Sequence, residues 1–289
     1  IGLTIVAIGT SLPELASALL AATTGNEGIA VGTIVGSNIA NIGLVLGLGA
    51  LLVGVMVGKR VFEREVQGMF LVTFVFFVFC LDGVIGRIES LILLISFVAY
   101  ILILFKFRFR FEYLFNVQAP IRNLFNVFNL FGSLRKNFKR IFVVELEVFA
   151  IGLIGLYLGA RLLVDSSIAI ALFFHIPESI IGLSMIAIGT SLPELMVSFS
   201  SIRKGLTNVL LGNIIGSNIT NILLVVGAVG LIAPLNVPEQ ILSYFNPFLL
   251  IISAFFLLFV WRGFRVGRKQ GLALILLYAL FIYSLVSIS

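Results

Sequence analysis

The sequence predicts an all-α membrane protein assembled from two copies of one unit, and three observations carry that prediction. The 289-residue chain is 60% hydrophobic and 11% charged, far from the about 25% of charged residues usual in soluble domains. Apolar runs near the ~20 residues that cross a bilayer recur along its whole length, which favours helices over the short alternating strands of a barrel. The octapeptide AIGTSLPE stands at Ala7 to Glu14 and again, letter for letter, at Ala187 to Glu194.

The runs resolve into nine predicted spans: Ile1 to Ala22, Gly28 to Val57, Val66 to Leu81, Ile88 to Phe105, Ile141 to Val164, Ile176 to Ser200, Val209 to Leu235, Ile241 to Val260 and Gly271 to Ser287. The single Cys80, in the third, has no partner for an internal disulfide and reads as a space-filling residue between helices. The apolar start at Ile1 lacks a basic leader and contains a glutamate, so it does not read as a signal peptide.

A net charge of +6 could suggest a nucleic-acid partner, but the positions of the charges assign them to topology. If spans alternate in direction, Lys59, Arg60, Arg64, the eight basic residues from Lys106 to Arg140, Arg203, Lys204 and the four from Arg262 to Lys269 share one side. That side holds 17 of the 19 basic residues, leaving Arg87 and Arg161 for the other. Such asymmetry marks the basic side as cytoplasmic, with the N-terminus as given inside and the C-terminus outside.

Shifting the chain by 180 residues aligns Ile1 to Leu52 with Ile181 to Ile232 without a gap, with about half of the positions identical. Five spans separate the starts of the two copies. An odd number inverts them in the membrane, and secondary transporters build a central site with access from either face in this way. The predicted halves are residues 1–105 and 141–289, joined by a basic cytoplasmic loop at 106–140. The second copy is preceded by the span Ile141 to Val164, and internal symmetry predicts an equivalent helix before Ile1, the first helix of a ten-helix fold.

In the central loop, Ile121, Leu124, Phe125 and Phe128 recur at helical spacing after Pro120, among basic residues. An interfacial helix on anionic lipid is the reading that needs no further partner, with a regulatory docking segment as the alternative.

The repeated octapeptide places a proline in each helix. Pro13 and Pro193 lack a backbone donor and clash one turn back, so the helices are expected to open around Gly9 and Gly189. Freed carbonyls at membrane depth persist only where a cavity, water or ligand satisfies them. Glu14 follows with Thr10 and Ser11 on nearly the same face, and Glu194 with Thr190 and Ser191. A carboxylate in the apolar slab is expensive, so two at symmetric depths mark a functional site in preference to a structural one.

The next span of each copy carries GSNIAN (Gly36 to Asn41) and GSNITN (Gly216 to Asn221). Ser37 and Asn41 share a helix face, as do Ser217 and Asn221, as ion ligands or as interhelical hydrogen-bonding groups. Gly32 with Gly36, and Gly212 with Gly216, are spaced for close helix contact. Carboxylates, hydroxyls, amide oxygens and carbonyls form a hard-ligand set suited to calcium or sodium and poor for zinc or copper. Two glutamates balance one Ca²⁺ or two Na⁺, and alternative occupancy is the basis of exchange.

These residues resemble the α-repeats of the sodium/calcium exchanger family, within the cation/calcium exchanger superfamily. GTSLPE with GSNIAN in one half and GTSLPE with GSNITN in the other carry the likeness, over roughly a third of the chain. Prokaryotic calcium/sodium antiporters are the nearest type, since the central loop has no room for a large regulatory domain. The resemblance implies an antiporter, not an enzyme, in a prokaryotic plasma membrane, with Ca²⁺ and Na⁺ (or H⁺) as transported ions, membrane lipid as surroundings and no cofactor. It implies calcium on Glu14 and Glu194 with the backbone carbonyls at Thr10 and Thr190. Flanking sodium sites would use Ser11, Ser191, Ala7, Ala187, Ser37 and Ser217, and the last positions are Asn41 and Asn221, where some relatives have Asp in the second repeat. It also implies a helix before the first repeat, pairing with Ile141 to Val164.

Two other function classes fit less well. An intramembrane hydrolase lacks its base, because the only histidine, His175, is placed in a loop, and Asp82 and Asp165 sit near span ends. A cation channel also uses acidic oxygen sites, but paired inverted helix breaks favour alternating access.

Overall fold

A computed structural model describes residues 2–115, 152, 154, 155 and 157–288. The regular elements are helices with four two-residue strands. In order they are α1 (Gly2–Thr10), α2 (Leu12–Thr23), α3 (Glu27–Val53), β1 (Val55–Met56), α4 (Gln67–Phe79), β2 (Val84–Ile85), α5 (Arg87–Phe115), α6 (Tyr157–Phe174) and α7 (Ser179–Thr190). There follow α8 (Leu192–Arg203), α9 (Thr207–Ile232), β3 (Leu235–Asn236), α10 (Ile241–Gly263), β4 (Arg265–Val266) and α11 (Arg268–Ile288). The contacts divide the chain into two units, Ile1–Phe97 with Ala160–Ser289, and Val98–Gly159.

Among the described residues, seven helices are long and apolar enough to cross a membrane, and an eighth span results if the pair α7 and α8, bent by 42°, counts as one. The predicted third span is the exception. Residues 59–79 form one continuous helical run, but Glu63, Arg64 and Glu65 occupy its first turns and shorten the apolar stretch. At 1.5 Å per residue the run is nonetheless about 30 Å long.

The predicted fifth span needs a correction. Its helix ends at Phe174 rather than Val164, because apolar residues continue past Asp165, whose charge is met one turn back by Arg161 at 3.6 Å. Residues 141–151 and the proposed interfacial segment around Ile121 to Phe128 lie outside the described residues.

The strands tie the halves together. β1 pairs antiparallel with β4, Val55 opposite Val266, and β2 with β3, Ile85 opposite Leu235. The 180-residue shift turns β1 into β3 and brings β2 to within one residue of β4, so each pair is the repeat counterpart of the other. Residues 59–79 lead from one pair to the other, so the pairs lie at opposite ends of that helix. This agrees with spans that alternate in direction.

Helices α3 and α9 form the centre and are buried over most of their length, whereas α5, α6 and α11 are largely exposed. The exposed residues of the outer helices are large and apolar, among them Ile88, Ile95, Leu162, Leu276 and Tyr283, as a lipid solvent requires. Glycine permits the tight central packing. A Cβ on Gly32 would stand 2.7 Å from the Ser179 carbonyl, one on Gly36 would strike the Leu183 carbonyl, and one on Gly216 would stand 2.6 Å from the Ala7 methyl.

Candidate ion-binding site

The helix breaks lie at Ser11 and Ser191, two residues after the glycines where the proline argument places them. Gly9 and Gly189 stay helical, and the turn falls between α1 and α2 and between α7 and α8. Ser11 N–H still donates to the Ala7 carbonyl and Leu15 N–H to the Ser11 carbonyl, each at 3.1 Å. Between these bonds Pro13 has no N–H to offer, so the Gly9 carbonyl loses its partner. The proline then opens α2 within its first turn, beside Glu14, where a helix start tolerates it best.

All twelve predicted site residues are buried: Ala7, Thr10, Ser11, Glu14, Ser37, Asn41 and their mates Ala187, Thr190, Ser191, Glu194, Ser217 and Asn221. Glu14 and Glu194 are both 0% exposed. Glu14 is within electrostatic reach of Glu194 and lies beside Thr190 and Ser191 of the other copy, and Ser191 Oγ donates to its Oε1 at 3.5 Å. Glu194 lies beside Thr10 of the first copy and accepts from Ser217 Oγ at 3.2 Å. The Oε2 atom of each glutamate has no hydrogen-bond partner. Two buried carboxylates near enough to repel, each with one oxygen unpaired, are a costly arrangement that a bound cation relieves.

The neutral oxygens surround this pair unequally. Thr10 Oγ1 donates to the Ala7 carbonyl at 3.2 Å and meets Ser217 Oγ at 3.4 Å, and Ser217 also reaches the Ala7 carbonyl at 3.5 Å. In the mirror half, Thr190 Oγ1 donates to the Ala187 carbonyl at 3.3 Å, but Ser37 Oγ turns into its own helix, to the Thr33 carbonyl at 2.7 Å. Ser11 Oγ is buried without a partner. Ser37, Asn41 and Asn221 therefore join through the central helices, not through a direct bond to a glutamate.

Three asparagines complete the cluster that residue-by-residue reading of the motifs passed over. Asn38 and Asn218, the third letters of the GSN triplets, bond to Asn221 and Asn41 across the interface of α3 and α9. Asn213 accepts from Thr10 Oγ1 at 3.3 Å; its mate is Thr33, which bonds within its own helix. The exact repetition of GSN was a signal for the first two. Right after them, Asn41–Leu46 and Asn221–Val226 form π-helical turns, a distortion frequent at functional sites.

Among the described residues no three of His, Cys, Asp and Glu gather to hold a metal ion, so the charge of this centre comes from two glutamates and the rest is neutral oxygen. His175 is exposed on the turn after α6, with its Nδ1 bonded to the Leu172 carbonyl at 2.9 Å.

The family model for sodium/calcium exchanger proteins matches residues 1–106 and 145–286. The chain is 34% identical over a 305-residue alignment to sodium/calcium exchanger MaX1 of Methanosarcina acetivorans, covering 98% of this chain and 87% of that protein. It is 37% identical over 275 residues to the inner membrane protein YrbG of Escherichia coli, covering 95% and 82%. Among solved structures, the sodium-calcium exchanger NCX_Mj soaked with 2.5 mM Na⁺ and 1 mM Sr²⁺ matches with a TM-score of 0.68 at 33% identity, over 98% of this chain and 85% of that one. Matched along both repeats by sequence and by fold, the chain belongs to the sodium/calcium exchanger family: it is a multi-pass integral membrane protein and a cation/calcium exchanger, not an enzyme.

Proposed function

We propose that this protein exchanges Ca²⁺ for Na⁺ by alternating access, at one central site that Glu14 and Glu194 form. The reading is carried by a single observation: the two glutamates, mates under the 180-residue shift, are fully buried within electrostatic reach of each other, and each keeps one oxygen without a partner. Calcium takes six to eight oxygens in flexible geometry. Glu14 and Glu194 would supply the charge, with the backbone carbonyls at Thr10 and Thr190 completing the calcium site. Sodium ions would occupy flanking positions at Ser11, Ser191, Ser37, Ser217 and the carbonyls of Ala7 and Ala187, with Asn41 and Asn221 as neutral ligands. The halves 1–105 and 141–289 would take mirror-related arrangements in turn, because each copy of the motif can make the contacts the other now makes.

The deciding experiment is calcium uptake into vesicles carrying the purified protein, driven in turn by an outward sodium and an outward proton gradient. Uptake that follows sodium alone supports the reading. Uptake that follows protons alone makes the protein a calcium/proton exchanger, and a gradient-independent leak makes it a channel.

A further inference from the structure

An asparagine side chain is nearly symmetric in shape but not in chemistry, since one end accepts and the other donates. Only the accepting end can hold a cation, so a neutral ligand at a cation site is useful only if something fixes which end points inward. Asn41 and Asn221 are both 0% exposed, and the Oδ1 of each has no hydrogen-bond partner. Their Nδ2 ends are taken, one N–H of Asn221 by Ser37 Oγ at 3.3 Å and one N–H of each residue by an asparagine. Asn221 Nδ2 donates to Asn38 Oδ1, and Asn41 Nδ2 donates to Asn218 Oδ1, both at 3.1 Å. The two bonds are mates under the repeat, and each crosses from one copy to the other.

The acceptors are themselves oriented. Asn38 Nδ2 donates to the Asn218 backbone carbonyl at 3.4 Å, and Asn218 Nδ2 lies 3.6 Å from Met69 Sδ. Asn38 and Asn218 therefore present oxygen, not nitrogen, to their partners. If Asn221 or Asn41 turned over, two amide oxygens would face each other in a buried interface and an N–H would point at the ion.

We propose that Asn38 and Asn218 are positioning residues: by accepting Nδ2–H from Asn221 and Asn41 across the repeat interface, they hold the Oδ1 atoms of those residues toward the transported cation. The proposal rests on the site reading above, and the same bonds join α3 to α9. Losing the acceptor leaves a buried donor unpaired, which is worth about tenfold in an equilibrium constant.

The test is a double-mutant cycle on calcium affinity, measured by titration calorimetry on the purified protein, with thermal melting recorded alongside. Asn38→Leu is expected to weaken calcium binding about tenfold in the parent and to have little further effect once Asn221→Leu is present; Asn218→Leu with Asn41→Leu should behave likewise. If Asn38→Leu does not reach the membrane folded, Asn38→Ala removes the same acceptor without apolar bulk and goes through the same cycle. Losses that add in the double variants, or a parent-like calcium affinity in Asn38→Leu or Asn38→Ala, overturn the proposal, since a purely structural role lowers melting without coupling to Asn221. Glu14→Gln and Glu194→Gln accompany the series. Full calcium binding in both would overturn the glutamate site and this proposal together, whereas their loss beside an uncoupled cycle overturns the positioning role alone.

Discussion

Ser217 Oγ donates to Glu194 Oε1 at 3.2 Å, while its mate Ser37 donates to the Thr33 carbonyl of its own helix. Two serines in identical GSN triplets thus do different things. A hydrogen bond to a charged group contributes about 1.5–3 kcal/mol, so Ser217→Ala should weaken calcium binding ten- to a hundredfold. Ser37→Ala should cost clearly less in the arrangement described here. Titration calorimetry on the two variants checks this, and equal losses would remove the asymmetry from the site's energetics.

The paired carboxylates lead to a prediction in which function and stability move apart. Replacing Glu14 or Glu194 by Gln halves the charge available to a divalent cation, and exchange in vesicles should fall to background. Removing one of two buried, mutually repelling carboxylates also relieves repulsion and desolvation. Without calcium, each variant should therefore melt at or above the parent temperature. A variant that melts lower and also loses exchange would show that the glutamate supports the fold instead.

Glycine substitutions test how closely the central helices approach. A methyl on Gly36 meets the Leu183 carbonyl and lies 2.7 Å from the Ala187 Cβ, while one on Gly9 meets nothing within 4 Å. Gly36→Ala forces two backbones apart and should destabilise by about 1–3 kcal/mol. Gly9→Ala sits in a regular helix and should be neutral or slightly stabilising. Melting curves for the pair suffice, and a silent Gly36→Ala would contradict the packing of α3 on α7.

Much of this arrangement was legible in the residues. The 180-residue repeat, the intramembrane glutamates and the oxygen-bearing residues beside them are local patterns, and each copy spells them out. What stayed hidden depends on which copy meets which. Identical triplets at Ser37 and Ser217 carry no information about the partner each hydroxyl selects, because neighbouring helices decide it. Asn213 and Thr33 break the symmetry quietly, as one polar residue for another. The strand pairs were hidden for a different reason: two residues at a helix end are too short to leave a period. The displaced break shows a limit of the proline rule, since the ring removes a donor at Pro13 while the backbone turns at Ser11.

The strand pairs give the topology a test that needs neither terminus. Val55 with Val266, and Ile85 with Leu235, bind loops that the positive-inside count puts on opposite faces. Single cysteines at Gly58 and Gly267 should be labelled from the cytoplasmic side only, and cysteines at Gly83 and Asn236 from the outside only, in a Cys80→Ala background. Labelling of Gly58 and Gly83 positions from one side would mean that residues 59–79 do not cross.

The final prediction concerns a third charge. Asn221 donates through Nδ2 to Asn38 Oδ1 at 3.1 Å and to Ser37 Oγ at 3.3 Å, and as a neutral residue it leaves the centre with the two glutamate charges alone. The parent is therefore expected to exchange calcium without any requirement for potassium. Asn221→Asp changes this in a pH-dependent way. While its carboxyl is protonated, the variant is neutral and can still donate to Asn38, so exchange should resemble the parent. As pH rises through its titration, the donor is lost and a third negative charge is gained, which should strengthen cation binding and create room for a further monovalent ion. The variant's pH profile should thus contain a step that the parent lacks, and above that step potassium should begin to matter. Asn41→Asp is the mirror control, placed against Asn218 in the same way. Calcium exchange at fixed sodium, with and without potassium and across pH, settles the matter: a potassium-dependent parent, or an Asn221→Asp profile that matches the parent's, would show that Asn221 does not line the ion site.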